Sequence, residues 1–544
     1  MPEAIDFFIS EFKDMINKKN KPGRYFRPRP YRNASVRFRN CSIEDYEKRR
    51  NLLEGEAGLN PFIFRSDMVP GCDLLSDSGT TTMTMRQWAW MLLGDEAYGS
   101  NEGYFELKNQ IAETFGEDWK GDASSKSGEN LFIFHQGRAA ENALFTVLRR
   151  FITGKGKTDS TELSKGLLPK LKKRIKSNLL SVRPGADRPS DPLVIIPSNS
   201  HFDTTQGNIE DKGMVPVNLP CREHLTDSSG SHFRGNMDID EIENLLENEG
   251  DRVPLVYLTI TNNTAGGQPV SMANIKKIRE TTNRFNIPFF FDACRFAENA
   301  WFIKKHEEGY SGKSITEIVH EMFSYVDGFH ISLKKDGLVN MGGAVVLKEG
   351  GRFTEKYPDF KEELTNYQIM TEGHPTYGGL AGRDLKAIVE GLQVVIRQDY
   401  LDIRINQVKR LADRLTADGI PIIEPAGGHA VYINIDKFFN GIKTEDFMGI
   451  SIAALLLIAG HRVCELGTYA FGRYKNGKEL PPDPRVNYVR AAVPRLAYED
   501  ADLMAFAEAV KVLFDNRDRI PGVNVEYGRD LPLRHFKSRF SFKK

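Results

Sequence analysis

Cysteine is scarce: 544 residues hold five, Cys41, Cys72, Cys221, Cys294 and Cys464. The count is odd, the spacings are wide and no CxxC pair exists, so neither a disulfide framework nor a zinc site is indicated, and a reducing, cytoplasmic compartment is expected. Long apolar runs are also missing. Ile450–Ala459 is the best candidate and falls short of the roughly 18 residues that suggest a membrane span, so it reads as a buried helix or strand. The N-terminus, MPEAIDFFISEFKDMI, carries acids inside its apolar run and lacks a charged n-region and a cleavage site, which argues against a secretory signal. No charge of either sign is in excess. Lys plus Arg is 74 and Asp plus Glu is 74, which argues against a dedicated nucleic-acid binder. What remains is globular: 40% hydrophobic and 27% charged residues, with length for about two to four domains.

The balance of charge is global, not local. Lys18–Arg39 is basic without a single acid, and Phe7, Phe8, Phe12 and Ile16 fall near helical spacing. Residues 1–60 therefore read as a basic arm, expected to pack on a neighbouring subunit, with an acidic partner or RNA as the alternative. From about residue 130, apolar runs alternate with helical patterns. LFIFH (131–135), Leu193–Pro197, Val253–Thr261, Ile287–Asp292 and Val326–Leu333 read as strands; Arg138–Phe151, Met272–Phe285 and Ile315–Tyr325 read as helices. Continuously apolar strands between helices imply an α/β unit whose mainly parallel sheet is covered on both faces. We assign it to residues 61–385, with a basic surface insertion near 153–191 whose centre, LLPKLKKRIKSNLL, suits an amphipathic helix. Residues 386–544 read as a smaller α+β domain: a long helix over Asp384–Asp418, strands at IPIIEP, HAVYINI and VNYVRAAV, a helix around Ala453 and a closing helix from Glu499.

Ligands of parallel sheets sit at the carboxyl ends of the strands. Three features fall there. Asp292 ends the run IPFFFD. Ser332, Lys334 and Lys335 follow VDGFHI; adjacent lysines repel, and with partial burial that lowers an amine's pKa and makes it nucleophilic, although KKDG would also suit an exposed turn. Gln136-Gly137-Arg138 lies where a strand meets a helix N-terminus, a place for a phosphate. A lysine, an acid and a phosphate cradle in this order suggest pyridoxal phosphate, which needs an amine for its aldehyde and an acid beside its ring nitrogen.

Long motifs carry a resemblance: LLSDSGT (74–80), GDEAY (94–98), HQGRAAEN (135–142), FDTTQG (202–207), TAGGQPVSMAN (264–274), FDACRFAENAWFIK (291–304), SLKKDGLVNMGG (332–343), HPTYGGLAGRD (374–384) and RHF (534–536). From about residue 60 onward the chain resembles the pyridoxal-phosphate-dependent β-eliminating lyases, the tryptophanase and tyrosine phenol-lyase family. The resemblance implies the fold-type I, transferase-like fold and a homotetramer with active sites shared between subunits, acting on a small amino-acid substrate. It implies pyridoxal phosphate and a potassium ion as cofactors. Lys335 would bind the cofactor and act as the Cα base. Asp292 would meet the ring nitrogen, Arg295 would lie near the ring's 3-oxygen, and Phe202 would stack on the ring. Gln136, Gly137, Arg138 and Ser332 would hold the phosphate. Asn263 and Arg495 would orient the substrate carboxylate, with Ser76 also at the substrate. Tyr98 would protonate the leaving group, and Lys334 would tune the site through water. Glu96, Asn340 and the carbonyl of Gly79 would hold the monovalent cation. Tyr377 would cross into a neighbouring subunit's site.

Three positions separate the two activities in the family. Tyrosine phenol-lyases carry Thr after the stacking Phe, Arg after the Glu of CELG, and RFF near the C-terminus; this chain carries Asp203, Leu466 and His535. Asp203, oriented by His535, can accept an indole N–H, and Leu466 offers apolar surface where a guanidinium would find no acceptor on indole. The expected reaction is β-elimination of L-tryptophan to indole, pyruvate and ammonium, through an aldimine, a quinonoid and an aminoacrylate. KSITEIVHEMFSY (313–325), YGGLAGRD (377–384) and EPAGGHAVY (424–432) look more like tyrosine phenol-lyase, so phenol release or a broad aromatic range is the alternative. A non-catalytic scaffold or RNA-binding protein is the remote one, supported by the basic arm alone.

Overall fold

The computed structural model describes residues 39–121, 129–155, 193–225, 230–439, 441–475, 477–482, 486–531 and 533–544. The helical segment expected at Phe7–Ile16 and the basic helix expected within 167–180 lie outside the described residues.

Seven strands form the main sheet: β1 (Leu131–Phe134), β2 (Ile195–Ser198), β3 (Val215–Asn218), β4 (Val256–Thr259), β5 (Phe289–Asp292), β6 (Gly328–Ser332) and β7 (Gly343–Leu347). Their order is β1-β7-β6-β5-β4-β2-β3, and β7 runs against both of its neighbours while the other pairings are parallel. Every residue of β4, β5, β6 and β7 is buried, as apolar strands covered on both faces must be. The helices read from periodicity are present at Gly137–Lys155, Met272–Arg284 and Ile315–Ser324. Two of them start on a serine. Ser271 Oγ accepts the Asn274 N–H, and Ser314 and Glu317 form a reciprocal capping box. The short strand VPVN escaped the sequence reading, and so did β7, whose GAVVL follows the glycines of NMGG.

A second sheet, antiparallel, lies in the C-terminal part: β8 (Ala430–Asn434) and β9 (Cys464–Leu466) flank β12 (Tyr488–Ala492). Two small hairpins accompany it, β10 (Arg473–Lys475) with β11 (Lys478–Leu480) and β13 (Val523–Tyr527) with β14 (Arg539–Phe542). The helices Gln398–Ala417, Met448–Ile458 and Asp500–Asp515 share a core with this sheet. IPIIEP is not a strand; it makes a single bridge, Ile422 to Ile433, because Pro421 and Pro425 have no N–H for a ladder. The long helix expected over 384–418 is two, Gly382–Val395 and Gln398–Ala417, parted at Arg397, whose backbone is extended. Asp399 pairs with Arg397 and accepts the Tyr400 N–H at 2.8 Å, so this acid marks a new helix start.

The expected boundary at residue 60 also shifts. Leu53, Phe64 and Val69 share a core with Phe447, Tyr469 and Phe540, and Cys72 and Leu74 belong to the core of the second sheet. The described part of the arm packs on its own chain: Arg49 is fully buried and donates to the carbonyls of Ile458, Ser42 and Ile43. All five cysteines are buried, and none of them forms a disulfide. Among the described residues, no helix is long and apolar enough to cross a membrane.

Candidate active site

Thr259, Asp292 and Ser332 are the last residues of β4, β5 and β6. They open on a cavity of about 230 Å³ that reaches across to the second sheet. The cavity gathers most of the residues read from the sequence: Gln136, Gly137, Arg138, Phe202, Asp203, Asn263, Asp292, Arg295, Ser332, Lys334, Lys335, Leu466, His535 and Ser76.

At one end stands the N-terminus of the long helix Gly137–Lys155. Gly137 has to be a glycine, because a Cβ there would lie 2.4 Å from the Cβ of Ser332. This close approach sets the helix's first N–H groups beside the Ser332 hydroxyl, with Arg138 and Lys334 adjoining. Among the described residues, no hydrogen bond or ion pair engages the side chains of Arg138, Ser332, Lys334 or Lys335. A helix N-terminus ringed by unpaired cations and a free hydroxyl fits a phosphate, and the amine of Lys335 fits an aldehyde. The residues present therefore suit pyridoxal phosphate. The lowered amine expected of the lysine pair is found at Lys334, where burial and then the charges of Lys335 and Arg138 push it down.

The floor is the sheet itself. Thr259, Asp292 and His330 are neighbours in register across β4, β5 and β6, and neighbours in register share a face. Asp292 accepts one backbone N–H, from Cys294 at 3.3 Å. Asp292, Cys294 and His330 place their ligand atoms within 4.8 Å of one another, but the Tyr257 hydroxyl holds His330 Nδ1 and the Ser332 N–H points at the Cys294 sulfur.

Asn263 is fixed through its oxygen. Oδ1 accepts from Tyr432 at 2.5 Å and lies 3.1 Å from His429 Nε2 and 3.4 Å from Arg490 Nη1, which turns the Nδ2 amide toward a ligand. Arg490 lines the cavity, donates to the carbonyl of Leu75, and has a buried Nε without a partner. Arg495, expected at the substrate carboxylate, does not line the cavity. It is fully buried and bound to Asp77 at 3.0 Å, Glu298 at 2.7 Å and Asp336 at 2.8 Å. Asp77 also takes both arms of Arg295, and Glu298 that of Arg404. Burial works to raise the Asp77 carboxyl, yet Arg295 and Arg495 hold it well below the usual range. Three carboxylates hold the two Nη groups of Arg495, and its buried Nε has no partner among the described residues.

The far end is lined by Leu466, Cys464, Phe62 and Phe536, with Asp203 and His535 among them. His535 Nε2 lies 3.5 Å from Asp203 Oδ2, and the Thr204 N–H donates to Oδ1 at 2.6 Å. Burial raises the Asp203 carboxyl, but His535 and Arg138 outweigh it and keep the group ionised below its ordinary value.

Besides Arg495, five expected residues stand outside this cavity: Tyr98, Tyr377, Glu96, Gly79 and Asn340. Tyr98 is 74% exposed and packs edge-on against Tyr377 and His374. Glu96 pairs with Arg383 at 2.7 Å, and a Cβ on Gly79 would meet Lys334 and the carbonyl of Asn340. Phe62, Phe536, Glu141 and His330 were missed. Phe62 lacks any motif, Phe536 closes the motif RHF, Glu141 sits inside HQGRAAEN as apparent helix filler, and His330 lies inside an apolar strand.

The chain's sequence matches the family model described as beta-eliminating lyase over residues 73–156 and 171–509. It is 37% identical over 505 residues to a tryptophanase of Salinibacter ruber, covering 92% of this chain and 93% of that one. It is 36% identical over 495 residues to a tyrosine phenol-lyase of Clostridium tetani, covering 91% and 94%. Among solved structures it is similar to the aromatic aminotransferase of Pyrococcus horikoshii, with a TM-score of 0.51 at 14% identity over 82% of this chain and 96% of that one. That likeness concerns the fold, which is fold-type I with a mostly parallel seven-stranded sheet.

Proposed function

The chain belongs to the beta-eliminating lyase family, and from that premise we propose that it cleaves L-tryptophan to indole, pyruvate and ammonium with pyridoxal phosphate in the cavity. The observation that carries this reading is the ionised Asp203 beside His535 with Leu466 next to it. Indole is an apolar bicycle with one N–H donor. This end offers it one buried acceptor on apolar surface, and Leu466 leaves no guanidinium where the family binds a phenol oxygen.

When bound, pyridoxal phosphate supplies an aldehyde that takes up an amine and a ring that accepts the electrons of the broken Cα–H bond. Lys335 holds the cofactor and then removes the Cα proton. Gln136, Gly137, Arg138 and Ser332 hold the phosphate, Phe202 lies against the ring, and Asp292 meets its nitrogen. Asn263 donates its amide to the substrate, and the α-carboxylate pairs with an arginine of the segment VRAAVPR, Arg495 as the family has it or Arg490, which lines the cavity. Asp203 holds the indole N–H as charge develops on that ring. A second copy of the chain completes the site with Tyr98 and Tyr377, with Tyr98 protonating the leaving carbon. The support is the exposure of Tyr98 together with that of Met85, Trp88, Leu92, Leu93 and Phe105 on the same stretch of chain. We place the protein in the cytoplasm as a homotetramer activated by potassium, after the family.

Phenol release from L-tyrosine is the second reading, favoured by the Clostridium tetani relative at 36% identity. Assaying indole and phenol side by side on the cofactor-loaded protein decides between them. Indole is expected to dominate; dominant phenol would overturn the assignment of Asp203.

A further inference from the structure

Behind the floor of the cavity lies a chain of buried groups that the reaction just described does not use. His330 Nδ1 is 3.7 Å from Asp292 Oδ1, and its Nε2 is 3.4 Å from Glu141 Oε1. All three side chains are almost completely buried. Glu141 comes from the second turn of the helix whose first turn forms the phosphate cradle. It accepts the hydroxyls of Thr205 at 2.5 Å and Thr204 at 3.3 Å. The Tyr257 hydroxyl lies 2.5 Å from His330 Nδ1.

The protons can be placed. Burial and the charges of Asp292 and Glu141 push the Tyr257 hydroxyl well up, so it keeps its proton and donates it to Nδ1. The imidazole's own proton is then on Nε2, facing Glu141. Burial first, opposed by His330 and aided by Asp292, raises the Glu141 carboxyl. The remaining titratable neighbours are Cys294 from the turn after β5, His201 from the turn after β2 and Lys335 after β6. Burial keeps Cys294 a thiol and pushes His201 down to about 4, so both are neutral. Asp292 has one N–H at 3.3 Å in front and this imidazole behind. A buried carboxylate so sparsely bonded takes its proton affinity from whatever polar group stands nearest.

We propose that His330 and Glu141 are positioning residues which act through Asp292 and set how firmly that carboxylate holds the protonated ring nitrogen of pyridoxal phosphate. This rests on the reading that Asp292 meets the ring nitrogen. With its proton on Nε2 the imidazole turns the Nδ1 lone pair toward Asp292 and disfavours that charge; removing the imidazole relieves this, so the proton shared with the ring moves toward the ring nitrogen. Glu141 orients the imidazole and acts one step further back.

The test uses apo-protein reloaded with pyridoxal phosphate labelled with 15N in its ring. The variants are His330→Gln, Glu141→Gln and Asp292→Asn, with circular dichroism as the folding control. The ring 15N shift and the pH midpoint of the bound chromophore are measured. In His330→Gln the 15N signal is expected to move further toward the protonated position and the midpoint to shift by about one unit, with a smaller shift of the same sign in Glu141→Gln. Cofactor affinity should stay within about threefold, since the phosphate cradle and Lys335 are untouched. If Asp292→Asn moves both signals while the other two variants leave them at wild-type values, the relay is wrong and the placement of Asp292 stands. If Asp292→Asn moves neither, the underlying reading fails first. Should His330→Gln not fold, Glu141→Gln on its separate helix decides alone.

Discussion

His535 and Asp203, from opposite halves of the chain, meet with Nε2 and Oδ2 3.5 Å apart at the aromatic end of the cavity. The pair joins the helix that follows β2 to the C-terminal turn Arg534–Phe536, so substrate choice is built from segments that only the fold brings together. Leu466 completes the surface. Replacing it, Leu466→Arg, is expected to cut indole formation by about 100-fold, the scale on which buried polar mismatches discriminate, and to raise the phenol-to-indole ratio. Chromatography of the products from both amino acids checks this; unchanged indole output would mean that the ring lies elsewhere.

Lys335→Ala is expected to abolish turnover and the absorption of lysine-bound pyridoxal phosphate. Absorbance of the reloaded variant and product assays together test it. Elimination at the wild-type rate would remove Lys335 from its role.

The two arginines of VRAAVPR should separate cleanly. Arg490→Ala should raise KM for tryptophan strongly, with partial recovery in Arg490→Lys, and leave thermal stability near that of the parent. Arg495→Ala should instead destabilise the fold by about 3–5 kcal/mol, because it strands buried carboxylates. Denaturant unfolding and steady-state kinetics on both variants give the comparison.

Acid should weaken the fold before it strips the active site. His461 Nδ1 accepts the Cys72 N–H at 3.0 Å, so the folded ring is neutral, and burial with the Arg49 charge pushes it from 6.5 to about 4. The unfolded chain thus takes up a proton at a pH where the folded chain does not. The contribution is complete above about 6.5 and is lost as pH falls toward 4, up to about 3 kcal/mol. Unfolding free energy measured from pH 7 to pH 4 should fall less steeply in His461→Gln than in the parent.

The exposed apolar residues near Tyr98 in the chain predict an assembly effect. Leu92→Glu should leave the fold intact but dissociate the oligomer and lower activity, because Tyr98 and Tyr377 would no longer reach a second copy's cavity. Light scattering and activity measured on the same sample test this; full activity in a monomer would refute it.

Much of the site was legible because its chemistry leaves local traces. Asp292 and Ser332 end apolar runs, Gly137 opens a helical pattern after a strand, and two lysines follow a third strand. Each is a strand-end feature, and a parallel sheet collects strand ends on one edge whatever the details of packing. The surroundings of Arg495 were illegible for the opposite reason. Arg490 and Arg495 look alike as letters, and only burial among Asp77, Glu298 and Asp336 reveals which one is already neutralised. IPIIEP looked like a strand by composition but has prolines where a ladder needs donors.

By itself the sequence determined the class of fold and the strand-end residues Lys335, Asp292 and Gln136–Arg138 that gather at the cavity, since alternation and strand-end residues are short-range properties of the chain. The tertiary structure alone decided that Arg490 lines the cavity, that His330 and Glu141 stand beside Asp292, and that Tyr98 faces outward. These depend on burial and on distances between remote segments. A side chain's charge and reach become chemistry only once the groups around it are known.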